Sequence, residues 1–213
     1  MTTEPIASSP LPATYPVRLE IERPESQSRL TNFPLGIGLV IRAVLLIPHF
    51  MILYLFSMVA GLLYFIATFA ILFTGRYPRG MYDLVVGYLR WNANMGGYLS
   101  SLYDKYPAFS TEAAEGYPLV LEIDYPEQSS RLLNFPLFGP VIRFALLIPH
   151  LIVLIFLGLV VFLVIFIAKF AILFTGSFPA GLYAFAVGVT RWSTRINAYN
   201  YGLTDRYPPF SLD

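Results

Sequence analysis

Apolar and polar positions follow three different spacings in this chain, and the whole succession occurs twice. "VRLEIE" and "LVLEID" alternate, the pattern of a half-exposed strand. The polar turns "PESQSRL" and "PEQSSRL" follow, then "NFP", which places Asn32 and Asn134 as helix N-caps beside a proline suited to an early helical position. A long apolar run comes next. It closes at "FTG", where Gly75 and Gly176 suit the left-handed position past a helix end. A turn, "RYPRG" or "SFPAG", leads into a polar-aromatic helix over residues 81–103 and 182–204.

The apolar runs decide the class. Residues 50–73 and 151–168 hold no Asp, Glu, Lys, Arg or His. About 18 such residues are enough to cross a hydrocarbon core as a helix, and a helix apolar on every side would need protein all around it in a soluble molecule. The expectation is a mainly α integral membrane protein. Its repeating unit is a short β-strand, an apolar membrane helix or broken hairpin, and an amphipathic interfacial helix.

Self-alignment sets the organisation. "YPVRLEIERPESQSRLTNFPL" returns as "YPLVLEIDYPEQSSRLLNFPL", "FAILFTGRYPRGMY" as "FAILFTGSFPAGLY", and "DKYPAFS" as "DRYPPFS". The units are residues 15–110 and 117–213, joined by a linker at 111–116 and preceded by a polar, proline-rich stretch, 1–14, read as a disordered tail without the features of a signal peptide.

Composition narrows function mostly by exclusion. Of 213 residues, 13% are charged, against about 25% in soluble domains. A net charge of +1 without basic runs gives no field for nucleic acid. With no cysteine there are no disulfides, thiolate metal sites or cysteine nucleophiles. Metalloprotease, nucleophile-elbow, phosphate-loop and calcium-loop patterns are missing from the sequence. "LGIGLVIRAV" resembles a glycine loop, but its counterpart "LFGPVIRFAL" breaks the spacing, so a turn or helix packing is expected. Glu20, Glu22, Glu122 and Asp124 read as solvated strand faces. Asp104 and Asp205 read as local pairs with Lys105 or Arg206, or as turns.

Three polar or ring-bearing residues interrupt the apolar runs in the same order: Arg42, Pro48 and His49, then Arg143, Pro149 and His150. A snorkelling arginine, a first-turn proline and a backbone-capped histidine account for them structurally. The functional alternative makes Arg42, His49, Arg143 and His150, with Arg90 and Arg191, a site for anionic headgroups or another ligand. Trp91 and Trp192 would then anchor at headgroup depth. No metal or cofactor site is expected, since His49 and His150 lack a second ligand at useful spacing.

"RLxNFPL", "RxxLLIPH", "FAILFTGxxPxGxY" and "RYPPF" resemble the bacterial membrane family catalogued as domain of unknown function 4389, in two tandem copies covering nearly the whole chain. The resemblance implies a membrane protein, here in the bacterial plasma membrane, and supplies no reaction or ligand.

Three arrangements fit the runs. The preferred one starts a long helix at Pro48, lays residues 35–47 as a separate interfacial helix, and leaves the polar-aromatic helix at the interface. One crossing per unit would invert the second unit and set the two strands in opposite compartments. A re-entrant hairpin, turning near residues 57–61 and 158, is the second; it keeps all polar parts on one side, where the two strands could pair. The third returns the chain through the polar-aromatic helix and needs Arg90 and Arg191 buried against protein. The expected role is a non-enzymatic membrane scaffold or lipid- and partner-binding module, with membrane lipids, other membrane proteins or a second copy as partners. A transporter or channel subunit is the alternative, and a membrane enzyme acting on lipids ranks third.

Overall fold

The computed structural model describes residues 15–113 and 116–213. The 1–14 stretch and residues 114–115 of the linker lie outside the described residues. In chain order the elements are β1 (Val17–Ile21), α1 (Ile37–Leu45), α2 (Ile47–Thr74), α3 (Arg79–Leu99), β2 (Leu119–Ile123), α4 (Phe138–Thr175) and α5 (Ala180–Asn200).

The alternating segments form the expected strands, and they pair with each other. β1 and β2 make an antiparallel two-stranded sheet in which Leu19 faces Leu121, Val17 faces Ile123 and Ile21 faces Leu119. This register is symmetric about the Leu19–Leu121 pair, so a pseudo-twofold axis passes through the sheet there and exchanges the repeats. A lone strand is not stable in water; each repeat supplies the other's partner. The expectation that the strands occupy opposite compartments is overturned by this pairing.

Each strand lies lengthwise on a helix of the other repeat. Along β2, Arg90 reaches the Leu121 carbonyl, Tyr82 donates to the Asp124 carbonyl, and Tyr125 donates to the Tyr77 carbonyl. Along β1, Arg191 reaches the Leu19 carbonyl, Tyr183 that of Glu22, and Arg23 that of Phe178. As strand numbers rise, helix numbers fall, so β2 is antiparallel to α3 and β1 to α5. Antiparallel strands therefore impose antiparallel α3 and α5. The repeat boundaries read from sequence are not packing boundaries.

α2 packs on α3 from the other side. Phe56 meets Tyr88 and Trp91 with ring centroids 5.6 and 6.3 Å apart. Nine residues separate Trp91 from Tyr82, which at about 100° per residue puts them on opposite faces of α3. α4 stands to α5 in the same way, with Trp192 against His150. Three layers result: the sheet, the α3–α5 pair, and the long helices α2 and α4.

The long helices each bury one stripe. In α2 it comprises Leu53, Ala60, Tyr64, Ala67 and Ile71, spaced three, four or seven apart. The other faces expose Met51, Leu55, Met58, Leu62, Phe69 and Phe73, and α4 exposes Ile155, Phe156, Leu159, Phe162, Leu163 and Phe174. Both helices are long and apolar enough to cross a membrane. Gly75 and Gly176 end them with φ of 72° and 77°, as the sequence predicts. Their carbonyls then accept the backbone N–H of the other repeat's turn, Ser129 for Gly75 and Gln27 for Gly176, both at 2.8 Å.

Three expectations about the helices are revised. Repeat one breaks at Leu46, giving the separate α1, whereas repeat two runs unbroken through Pro149. The polar-aromatic helices do not stand apart from the rest of each repeat; they form the middle layer, between the sheet and the long helices. Asn32 and Asn134 are not the N-caps, positions held by Gly36 and Leu137. The "LGIG" segment is a packing device: a Cβ on Gly38 would stand 2.6 Å from the Phe33 nitrogen, and one on Gly139 2.5 Å from the Leu133 carbonyl oxygen.

Candidate functional site

Residues of the apolar runs meet the "DxYPxF" segment downstream of them in two equivalent nodes. Arg42 and Arg143 are fully buried. Each guanidinium carries five N–H donors in a rigid fork, and the protein supplies an acceptor for every one. Arg42 donates Nε to the Thr31 carbonyl (3.0 Å), Nη1 to the carbonyls of Tyr98 (2.5 Å) and Tyr103 (2.9 Å), and Nη2 to Asn32 Oδ1 (2.9 Å) and Asp104. Arg143 repeats this with Leu133 (3.1 Å), Tyr199 (2.8 Å), Thr204 (2.9 Å), Asn134 (3.1 Å) and Asp205.

The chemistry follows from where those acceptors sit. The Tyr98 and Tyr199 carbonyls end α3 and α5, where the last turn leaves carbonyls without intrahelical partners. A cation is favoured at that negative end of the helix dipole. Tyr98 and Tyr199 also place their rings under the guanidinium, 4.4 and 4.6 Å from its carbon. Asn32 donates to Asp104 (2.9 Å) and Asn134 to Asp205 (3.2 Å), so the "NFP" asparagines orient the carboxylate that neutralises each arginine. Asp104 and Asp205 thus pair with Arg42 and Arg143, not with Lys105 or Arg206, which corrects the sequence expectation.

Histidine is held through one ring nitrogen, while Nε2 of His49 and of His150 is buried without a partner among the described residues. Trp91 donates its indole N–H to Nδ1 of His49 at 2.8 Å, and Trp192 to Nδ1 of His150 at 3.0 Å. A ring nitrogen that accepts carries no proton, so both imidazoles are neutral with hydrogen on Nε2. Phe109 stacks on His49 at 3.9 Å and Phe210 on His150 at 3.8 Å. Trp91 and Trp192 are only 7% and 4% exposed. They act as internal hydrogen-bond donors, a use that the sequence reading, which set them as interfacial anchors, does not include.

Proline brings no N–H to the helix, which leaves the carbonyl four residues back, Val44 or Ala145, without that donor. On the neighbouring carbonyl, Tyr106 donates its hydroxyl to Leu45 and Tyr207 to Leu146, each at 2.8 Å. Asp and Phe of "DKYPAF" and "DRYPPF" therefore meet Arg and His of "RAVLLIPH" and "RFALLIPH", and the Tyr between them bonds the backbone one turn before Pro. The partner segments are legible as repeats, but their pairing is not, because it crosses some sixty residues of chain.

Arg90 and Arg191 lie outside the nodes. Arg90 donates to the carbonyls of Thr111 (2.7 Å) and Leu121 (3.3 Å), and Arg191 to those of Leu19 (3.0 Å) and Leu212 (2.9 Å). They fasten the sheet to the middle layer. The six residues nominated as one headgroup site are thus distributed over two nodes and two sheet anchors, with the arginine donors directed at protein oxygen except Nε of Arg90, which is buried without a partner among the described residues.

Two features carry no sequence motif. Lys169, 5% exposed, leaves α4 to donate to Ser101 Oγ at 3.0 Å beside the first node; its counterpart is Thr68. A crevice of about 230 Å³ follows the α3–α5 seam, lined by Asn92, Gly96, Ser100, Thr190, Ser193 and Asn197 among others. The sheet covers one side of that seam, so the crevice opens on the α2–α4 side. Among the described residues, no group of three His, Asp or Glu is placed to hold a metal ion.

A family model described as a domain of unknown function, DUF4389, matches residues 37–111 and 140–211. Each match spans a long helix, the helix that follows it and one "DxYPxF" segment, and omits the strands. No curated protein and no solved structure matches the chain.

Proposed function

Because the chain belongs to the DUF4389 family, whose description assigns no activity, we propose a role from geometry: a non-enzymatic membrane-seated scaffold that binds lipid and presents a small polar platform. The carrying observation is the segregation of its surface. α2 and α4 expose large apolar side chains along their whole length, while the basic side chains of the two runs, Arg42, Arg143 and Lys169, are buried. The charged strand faces lie in the opposite layer.

The polar seam crevice, with hydroxyl and amide groups and no charged lining residue, suits the uncharged glycerol-ester region of a lipid. It lacks a nucleophile paired with a base, which disfavours an enzyme. The saturated arginines support a purely structural role for the nodes, so lipid contact is assigned to α2, α4 and the crevice.

Membrane fractionation tests this reading. Protein that stays with the membrane through an alkaline carbonate wash and is released by detergent supports it. Protein recovered in the soluble fraction or in the wash would sink it. One observation favours transport as a second reading: the helix pairs α2–α3 and α4–α5 are related by a twofold axis that inverts their directions, as in inverted-repeat carriers. Solute or ion flux in proteoliposomes would support that reading; its absence leaves the scaffold.

A further inference from the structure

We infer that the protein sits in a single leaflet, with α2 and α4 lying parallel to the membrane plane rather than crossing it. This rests on the membrane-seated reading above and specifies its geometry. The decisive relation is that the strands run along α3 and α5, so the sheet stands level with the helix midpoints and not beyond their ends. On its outer face it carries Arg18, Glu20, Glu122 and Asp124, with Glu20, Glu122 and Asp124 exposed. Helices set across the bilayer would hold that charged face near the bilayer centre, where ionised groups are strongly disfavoured and a two-stranded sheet leaves open edges.

Turning the molecule so that the twofold axis stands along the membrane normal removes the conflict at once. The sheet then faces water, α3 and α5 occupy the interface, and the apolar faces of α2 and α4 enter the acyl region. Helix lengths agree. α2 and α4 have 28 and 38 residues, about 42 and 57 Å at 1.5 Å per residue. They are unequal and longer than a hydrocarbon core of about 30 Å, a mismatch that costs nothing to a helix lying in plane. Basic residues flank both ends of the molecule alike, Arg29 near the end of α4 and Arg131 near the end of α2. A crossing normally shows an asymmetry of Lys and Arg; a molecule whose two ends face the same water does not.

The occupant of the α2–α4 face is therefore the acyl region of one leaflet. A second copy of this chain covering the same face is the rival, and it predicts a soluble assembly without lipid.

The test uses the absence of cysteine. Glu25 and Glu127 are exposed and occupy equivalent turns at opposite ends of the molecule, and Glu20 lies on the sheet face. The variants Glu25→Cys, Glu127→Cys and Glu20→Cys are made singly in the full chain. Each is labelled with a membrane-impermeant thiol reagent in vesicles of one orientation, before and after permeabilisation. In-plane seating predicts that all three label from the same side. Glu25→Cys and Glu127→Cys labelling from opposite sides, with Glu20→Cys protected, would overturn it. A second readout guards against misfolding: a fluorophore at Leu62→Cys or Leu163→Cys should be quenched by brominated lipids of the same leaflet. Equal quenching along α2 at Met51→Cys, Leu62→Cys and Phe73→Cys supports one depth. Quenching that peaks at Leu62 and falls at both ends indicates a crossing and overturns the inference. Failure of the carbonate-wash experiment, by contrast, removes membrane seating altogether.

Discussion

Trp91 donates its indole hydrogen to Nδ1 of His49, and Trp192 does the same for His150, in sites where both partners are buried. Removing the donor alone leaves an imidazole acceptor without a partner, which costs about 1–3 kcal/mol. Trp91→Phe should therefore lower stability in detergent by about that amount plus a packing loss. His49→Phe added to it removes the orphaned acceptor, so the double variant should be less damaged than the sum of the single ones. A double-mutant cycle read by thermal or denaturant unfolding measures this, and strict additivity would show that the hydrogen bond contributes nothing.

The arginine fork gives a stronger effect. Arg42→Met strands the carboxylate of Asp104 and leaves the carbonyls of Thr31, Tyr98 and Tyr103 without this donor. The Asp104 side chain is 27% exposed and keeps its bonds from Ser28 and Asn32, so the cost should fall below the roughly 3–5 kcal/mol of breaking a fully buried pair. Arg42→Lys should recover only part of it, because an ammonium has three donors and no planar fork. The same series at Arg143 should rank identically, and folded yield together with unfolding midpoint would show it. A tolerated Arg42→Met would mean that the node is not what holds the end of α3.

Much of this architecture is readable in the residues before any coordinates. Alternation at "VRLEIE", the unbroken apolar runs and the glycines after "FT" predict β1, α2, α4 and their ends, because these signals are local. The strand pairing is readable only as one option, in the arrangement that keeps all polar parts on one side, since it depends on which repeat folds back onto which. Asn32 and Asp104 mislead for the same reason. Each has a cheap local explanation, as N-cap or local ion pair, and each is instead used by a partner ten to sixty residues away. Trp91 has a distant use of the same kind, which its reading as an interfacial anchor does not include. Repeats hold the missing information: residue types kept in both copies without a local reason are the ones that meet in the nodes.

Asymmetry between the copies makes a separate prediction. Ser101 has φ of 61°, a left-handed conformation that the second copy assigns to Gly202 at 67°. Such a non-glycine residue costs about 1 kcal/mol or more in strain, yet its hydroxyl accepts from Lys169. Ser101→Gly alone should relieve strain but leave the amino group of Lys169 without its hydrogen-bond partner among the described residues. Ser101→Gly combined with Lys169→Met removes both liabilities and should unfold at a higher temperature than either single variant. If the double variant is the least stable of the three, the lysine makes a net favourable contribution that its single contact does not explain.

The outer face of the sheet is asymmetric in charge, and pH should expose it. Arg18 donates to Asp124 at 2.6 Å and to Glu122 at 3.3 Å, while its counterpart Val120 stands opposite Glu20. Val120→Arg would build the second bridge, adding up to about 1 kcal/mol for an exposed pair. The hydrogen bond from Arg18 holds the Asp124 carboxyl below its usual range, against a smaller opposing effect of burial. A depressed folded pKa contributes stability above the unfolded value, about 3.9 for Asp, and loses it as pH falls through the folded value. The gain from Val120→Arg should follow the same sign, since it too needs ionised carboxylates. It should be full near neutral pH, shrink in high salt and disappear well below pH 4. Unfolding midpoints of both proteins at pH 7 and pH 3, each at low and high salt, separate the contributions. A gain that persists in acid and in salt would belong to packing along the edge of β2 instead of to charge.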